Sequence, residues 1–327
     1  MSLRGATTLI ADSTARTHMP GAYAHLSLVN DARTRAATAG LRKETCLALG
    51  RWLKFLELGS VSPDYPYVTV LGGQKRWADY MHYTRNATLL RAGVAATATL
   101  PPAQKAKVTA WLLGFAAHMA ADATIHPVVE RLVGPYKGNE GAHRRCEMHQ
   151  DAYIFPRVVD VGDTGLSEHL ATGIATCHAP GQRNALDPAI ERTWRTMLEA
   201  AYPEATGKDP PAPGTWHAGF RTLLTSMAKV NHLFPFARHV GAGFNLAYPK
   251  ARDIDAQYIR QVPTPEGPMD YDALYERARD NVLELWRTLD AALVDGRSDA
   301  LDAHDDWNLD SGRSVRTGKL VFWKEAA

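Results

Sequence analysis

The chain reads as a succession of amphipathic helices separated by short breaks rich in proline and glycine. Apolar residues recur at three-and-four spacing over Ala24–Thr38, Arg42–Leu58, Lys75–Thr97 and Ala103–Ala123. The pattern returns over Glu140–Val159, Pro188–Tyr202, Thr215–Leu233 and Tyr271–Leu293. The breaks are Ser60-Val61-Ser62-Pro63, Leu100-Pro101-Pro102, and Gly207–Gly214 with its three prolines. Pro101 and Pro102 suit the first turn of the helix that follows, where a missing N–H costs nothing. Strand-like alternation is scarce: Lys319–Trp323 is the best short segment, and Tyr67–Leu71 is ambiguous. The pattern therefore predicts an all-α fold, a single multi-helix domain over residues 19–327. Residues 1–18 are read as a leader, disordered or added in expression, and 207–214 as the candidate boundary of two lobes.

Composition narrows this picture without redirecting it. Of 327 residues, 45% are apolar and 22% charged, enough apolar surface to bury a core. Lys and Arg number 37 against 35 Asp and Glu, so net charge offers no electrostatic case for long nucleic acids or an anionic membrane. No apolar run approaches the roughly 20 residues that span a bilayer. The longest, Val108–Ala121, is interrupted by His118 and ends at Asp122, and reads as a buried helix. Arg4, Asp12 and Arg16 leave only a short apolar patch at Leu9-Ile10, so no signal peptide is read there. Cys46, Cys146 and Cys177 are odd in number and far apart, which makes neither a disulfide framework nor a zinc ribbon. The expectation is a cytoplasmic location, with secretion left open.

The chemistry is concentrated between His118 and Glu147. His118, Asp122 and His126 follow at successive turns of one helix and share a face, and His143 and Glu147 repeat that spacing on a second segment. Zinc takes imidazole nitrogen and carboxylate oxygen at about 2.0–2.2 Å, and ligands one helical turn apart converge on such a point. A carboxylate flanked by histidines on both sides, as Asp122 is, can also bridge two metals about 3.5–4 Å apart. The face is polar where the surrounding Trp111–Ala117 pattern calls for core. Burying three such groups without partners costs several kcal/mol, and a metal removes that penalty. An ordinary buried His–Asp hydrogen-bond network is the alternative.

These residues resemble a known family. Gly114-Phe115-Ala116-Ala117-His118-Met119-Ala120-Ala121-Asp122-Ala123-Thr124-Ile125-His126-Pro127, followed by His143-Arg144-Arg145-Cys146-Glu147, is similar to the signature of the zinc-dependent phospholipase C family. Met19-Pro20-Gly21-Ala22-Tyr23-Ala24-His25 resembles its amino-terminal histidine segment, and Leu58–Asp64 its loop ending in Pro-Asp. His82 follows where the family has another histidine ligand. The resemblance spans residues 19–160. It implies an all-helical domain of the zinc phospholipase C and nuclease type, with the metal site in a cleft between helices. Asp64, His82, His118 and Asp122 would hold one zinc, and His126, His143 and Glu147 a second. Asp122 would bridge to a third that His25 helps to bind. Related single-strand-specific nucleases usually end the second pair in Asp, so Glu147 leans towards the phospholipases.

One departure stands out. In secreted members the processed amino-terminal residue completes the third zinc, whereas here His25 follows a long leader and Met19-Pro20 lacks the usual tryptophan. Cleavage near this point, a substitute ligand, or a weak or empty third site all remain open, so two zinc ions are expected and a third is left open. The resemblance implies phosphodiester hydrolysis by water activated on the metal, with Asp64 either orienting or deprotonating that water or serving purely as a ligand. The expected partner is a lipid or small-molecule phosphodiester, with transient membrane-surface contact left open and long nucleic acids not expected. The alternatives are a zinc nuclease or nucleotidase, and a non-catalytic binding descendant, against which retention of every candidate ligand counts. Asp151, one turn beyond Glu147, reads either as a hydrogen-bond acceptor for a ligand histidine or as a solvated acid. Trp77, Tyr80 and Tyr83 around His82 read as core or as a lipid-accepting wall, His232 and His239 as core or surface, and His304-Asp305-Asp306 as solvated.

Overall fold

The computed structural model describes residues 21–68, 74–136, 138–159, 173–227, 249–296, 298–302 and 304–324. Helices dominate them: α1 (Ala22–Arg35), α2 (Lys43–Arg51), α3 (Leu53–Val61), α4 (Tyr65–Val68), α5 (Lys75–Tyr83), α6 (Asn86–Ala98), α7 (Pro102–Val133) and α8 (Glu140–Val158). After a short hairpin of β1 (His178–Ala179) and β2 (Gln182–Leu186) come α9 (Pro188–Ala201), α10 (Pro203–Thr206), α11 (Pro213–Met227) and α12 (Tyr271–Asp295). Two further two-stranded hairpins, β3–β4 (Val262–Thr264 with Gly267–Met269) and β5–β6 (Trp307–Asn308 with Arg313–Ser314), complete the described strands. The fold is all-α, as the apolar periodicity predicts. Lys319–Trp323 is not a strand; its one pairing is an isolated bridge from Leu320 to Arg313. Tyr67–Leu71 begins inside α4, and its last three residues lie outside the described ones, as do His232 and His239.

Helix α7 is the axis. Its 32 residues span about 48 Å, and every residue from Val108 to Val129 is buried. It extends ten residues beyond the expected end at Ala123, carrying Pro127 inside it. By length and hydropathy it is apolar enough to cross a membrane, yet its most apolar stretch is fully buried inside the protein. Pro127 has no N–H for the Ala123 carbonyl four residues back. That opening is covered from the far end of the chain. Gly312, at φ +64, sits so close that a Cβ there would fall 2.4 Å from the Ala123 oxygen, and Trp323 Nε1 donates to the Thr124 carbonyl at 2.9 Å. Helix α12 lies along the same axis, with Trp286 Nε1 donating to the Leu113 carbonyl at 2.7 Å.

Two helices expected to be continuous are broken, and the second break is held by tertiary hydrogen bonds. The expected Arg42–Leu58 helix divides at Trp52 (φ −115, ψ 35), which re-aims α3 across α7. The expected Lys75–Thr97 helix divides at Thr84-Arg85, where Thr84 is extended and Arg85 is left-handed at φ 51. Tyr202 Oη bonds the carbonyls of Tyr80 and Thr84 at that point. Asn86 then pairs with both backbone groups of Trp307, and Asp306 accepts the Ala87 N–H at 3.0 Å. A cap supplied from 219 residues away is invisible to any local pattern. The Gly207–Gly214 stretch is tied to the start of α5, where Gln74 Nε2 donates to Asp209 Oδ1 at 2.6 Å and Arg76 pairs with Oδ2 at 3.1 Å.

The crossing of α3 over α7 is backbone on backbone. A Cβ on Gly59 would lie 2.0 Å from the Trp111 carbonyl oxygen, and one on Gly114 would lie 2.1 Å from that of Leu56. Neither neighbour is a side chain that could yield. Gly114→Ala is therefore expected to destabilise the fold by about 3 kcal/mol, the upper range of core overpacking. A thermal melt would read this as a large fall in Tm, and a wild-type Tm would refute the close approach.

Candidate metal centre

His118, Asp122 and His126 stand on one face of α7, and three other elements bring side chains to that face. His25 comes from α1, His82 from α5, and Asp64 from a single 3₁₀ turn, Ser62–Asp64, fused between α3 and α4. Pro63 favours that turn by fixing its φ. Trp111 Nε1 ties the turn to α7 by donating to Ser62 Oγ at 2.9 Å. All six side chains are at most 1 % exposed.

Asp122 divides its two oxygens between two sets of imidazoles. Oδ2 faces His118 Nε2 at 3.1 Å and His82 Nε2 at 3.6 Å. Oδ1 faces His25 Nε2 at 3.3 Å and His126 Nε2 at 3.7 Å. Asp64 Oδ1 lies 3.4 Å from His82 Nε2. His25 also stacks on His118, ring centres 4.2 Å apart. These contacts are close but poorly aligned: neither oxygen of Asp64 or Asp122, and neither ring nitrogen of His25, makes a hydrogen bond. For groups this deeply buried, that is costly unless something else compensates.

The far side of each ring explains the near side. His82 Nδ1 donates to the Ala78 carbonyl at 2.8 Å and His118 Nδ1 to the Ser60 carbonyl at 2.9 Å. A ring nitrogen facing a carbonyl carries the proton, so each neutral ring presents its Nε2 lone pair to the centre. Those two Nε2 atoms face each other at 3.2 Å. Two lone pairs so placed repel unless a proton or a cation lies between them. Neighbouring donors in the set His82 Nε2, His118 Nε2, Asp122 Oδ2 and Asp64 Oδ1 are 3.1 to 3.6 Å apart. Tetrahedral ligands held about 2.0–2.1 Å from a zinc ion stand about 3.3–3.4 Å from one another. The nitrogen and oxygen donors, their spacing and their missing hydrogen bonds all fit a divalent cation.

The electrostatics agree. Burial pushes the His118 imidazolium down, but Asp122 and Asp64 outweigh it and raise its pKa to about 9. Burial works against ionised Asp122, and His118 with His126 overcomes it, holding the carboxyl well below its usual range. His25 is lowered, first by burial and then by repulsion from His118. One centre thus holds ionised carboxylate and excess positive charge together, and a bound cation would take over the role of that charge.

The other candidates fall in different places. His143 and Glu147 occupy successive turns of α8, outside the two closest donor groups, which are His25–His118–Asp122 and Asp64–His82–His118. His143 is buried and its Nε2 donates to the Gly134 carbonyl at 2.7 Å, so in the neutral ring its Nδ1 carries the lone pair. Asp151 is not the solvated acid that one reading of its spacing suggested. It is fully buried, and its Oδ1 accepts the Ala24 N–H at 2.8 Å, holding the start of α1 beside His25. Trp77 is core, Tyr80 stacks on Tyr202, and Tyr83 Oη donates to Asp310 Oδ2 at 2.7 Å. Asp305 and Asp306 are bonded within the fold to Ser314 and Ala87 and are only partly exposed. Sequence reasoning missed the carbonyls of Ser60, Ala78 and Leu309, the last of which accepts from His126 Nδ1 at 3.1 Å. Backbone acceptors carry no residue-type signal. It also missed Asp310, whose position in a polar stretch marks it in no way.

The centre predicts that Asp122→Asn loses most bound zinc by elemental analysis of protein purified under zinc-replete conditions. Chelation is expected to lower the wild-type Tm by about 5 °C, the effect of losing a ligand present at a hundredfold its Kd. The variant should show no such fall, and equal zinc in both proteins would remove Asp122 from the site.

Comparison with curated proteins returns no match, and comparison with solved structures returns none. The comparison with families returns one match, zinc-dependent phospholipase C, over residues 24–204. That segment covers more than half of the chain and contains every candidate ligand from His25 to Glu147, so the chain belongs to the zinc-dependent phospholipase C family.

Proposed function

We propose that the chain hydrolyses phosphodiester bonds of phospholipid headgroups at the centre built around His118 and Asp122. The observation that carries this reading is the pair of imidazole Nε2 atoms facing at 3.2 Å beside two buried carboxylates without hydrogen bonds, in a chain of this family. Zinc supplies there a Lewis acid that neutralises charge growing on the phosphoryl oxygens and makes a water it holds more acidic. In this reading Asp64, His82, His118 and Asp122 hold one ion, and His126, His143 and Glu147 a second. His25 with Asp122 Oδ1 serves a third.

The protein's own groups then have separate tasks. Ser60, Ala78, Leu309 and Gly134 accept the outward ring protons and keep the inward nitrogens as donors. Asp64 orients the attacking water and takes up its proton as oxygen bonds to phosphorus. The bond from phosphorus to the departing alcohol breaks, and that oxygen leaves with the proton that Asp64 took from the water. Asp64 Oδ1 lies 3.4 Å from His82 Nε2, and Asp64, His82 and His118 form one close donor group, so it can also hold a metal. A near-balanced net charge of +2 favours a small or lipid phosphodiester over a long nucleic acid.

Parallel assays on phosphatidylcholine vesicles, a chromogenic phosphodiester and single-stranded DNA test the substrate. Turnover of the lipid and the chromogenic ester is expected; cleavage of DNA alone would replace this reading with a nuclease. Asp64→Asn is expected to lower kcat by about 10²–10⁴, the usual range for a lost general base, while most zinc is retained. Loss of zinc in parallel with activity would reduce Asp64 to a ligand.

A further inference from the structure

Residues Trp307–Asp310 lie a hundred residues beyond the end of the family match, yet they touch two of the candidate ligands. The Leu309 N–H donates to the carbonyl of His82 at 2.9 Å, and the Leu309 carbonyl accepts the Nδ1 proton of His126 at 3.1 Å. One residue thus joins a ligand of α5 to a ligand of α7. Asp310 extends the link: its Oδ1 stands 3.8 Å from His126 Nδ1, and its Oδ2 accepts from Tyr83, the neighbour of His82, at 2.7 Å. Further back, Asn86 grips both backbone groups of Trp307. The strap is therefore anchored at both ends to the α5–α6 break.

We propose that this C-terminal strap is a positioning element for the metal centre, with Asp310 and Tyr83 holding the Leu309 carbonyl against His126. The inference rests on the reading of the site as a metal centre. It assigns to residues outside the family segment the orientation of His126. A proton held on Nδ1 by the Leu309 carbonyl leaves Nε2 as the donor facing Asp122 Oδ1. The negative charge of Asp310 near that Nδ1–H favours the same tautomer. Tyr83 sets where Asp310 stands, so the hydroxyl on α5 reaches the ring on α7 through two steps. His25 offers the contrast within the same centre, because neither of its ring nitrogens has a hydrogen-bond partner.

The test uses the full-length chain and Tyr83→Phe, which removes one hydroxyl, together with Asp310→Asn. Cobalt(II) is titrated in place of zinc, and its visible absorption and affinity are read alongside the Tm of the metal-free protein. Both variants are expected to lower cobalt affinity about 10- to 100-fold, the range for lost partners of metal-ligating histidines. A changed cobalt spectrum and an unaltered metal-free Tm should accompany that loss. A purely structural strap would lower the Tm and leave the spectrum of the folded protein as in wild type, which would overturn the proposal. Wild-type affinity in both variants would overturn it too. A wild-type chain that binds no cobalt or zinc would instead remove the metal centre on which the inference stands.

Discussion

The structure is organised around a cluster of buried donors in its core that needs a proton or a cation at its centre. Two imidazole Nε2 atoms face each other at 3.2 Å, with two buried carboxylates beside them that make no hydrogen bonds. Placing ionised groups in a low-dielectric interior costs several kcal/mol for each ion unless opposite charge and donors are supplied. A proton on His118 meets part of that demand, which is why its pKa is raised to about 9. A divalent cation meets it more completely, since it satisfies several lone pairs at once. The centre is a poor way to stabilise a helical bundle and a good way to hold a metal.

Everything close to the centre serves to keep those lone pairs pointing inward. The glycines at 59 and 114 let α3 and α7 touch backbone to backbone. That contact places the Ser60 carbonyl one residue later against His118, and the 3₁₀ turn after it delivers Asp64. The break at Thr84-Arg85 ends α5 just past His82, whose own helix supplies the Ala78 acceptor. Asp151 plays the corresponding part for α1, accepting the Ala24 N–H where Gly21 offers no side-chain cap. Its carboxylate occupies the space that a Cβ on Gly21 would need, so the two residues depend on each other. Scaffold and site are thus one set of contacts: the glycines at 21, 59 and 114 each stand within five residues of a candidate ligand and allow the close approach beside it.

Apolar periodicity revealed the helices because burial of a continuous stripe is a local property of sequence. The same reasoning singled out His118, Asp122 and His126, since three polar side chains at successive turns of an apolar helix contradict their surroundings. It failed at Trp52, where the backbone leaves the helix at φ −115, and at Thr84-Arg85, where the local pattern favours continuation and the distant partners Tyr202, Asp306 and Trp307 bond the break. It failed also for Asp151, whose spacing on α8 was right and whose partner, a backbone N–H on α1, could not be guessed.

Sequence alone determined that the chain is helical, that α7 is its buried axis, and that the polar face of that axis carries metal-type donors. Those conclusions need only side-chain type and helical spacing. Tertiary structure decided the rest: that Asp122 splits its oxygens between two sets of imidazoles, and that Ser60, Ala78 and Leu309 orient the rings. It also decided that Leu309 bonds the backbone of His82 and the ring of His126 at once. The reason is physical. A backbone carbonyl is the same in every residue, and which of them meets a given imidazole depends on how helices cross, a property that no stretch of sequence carries by itself.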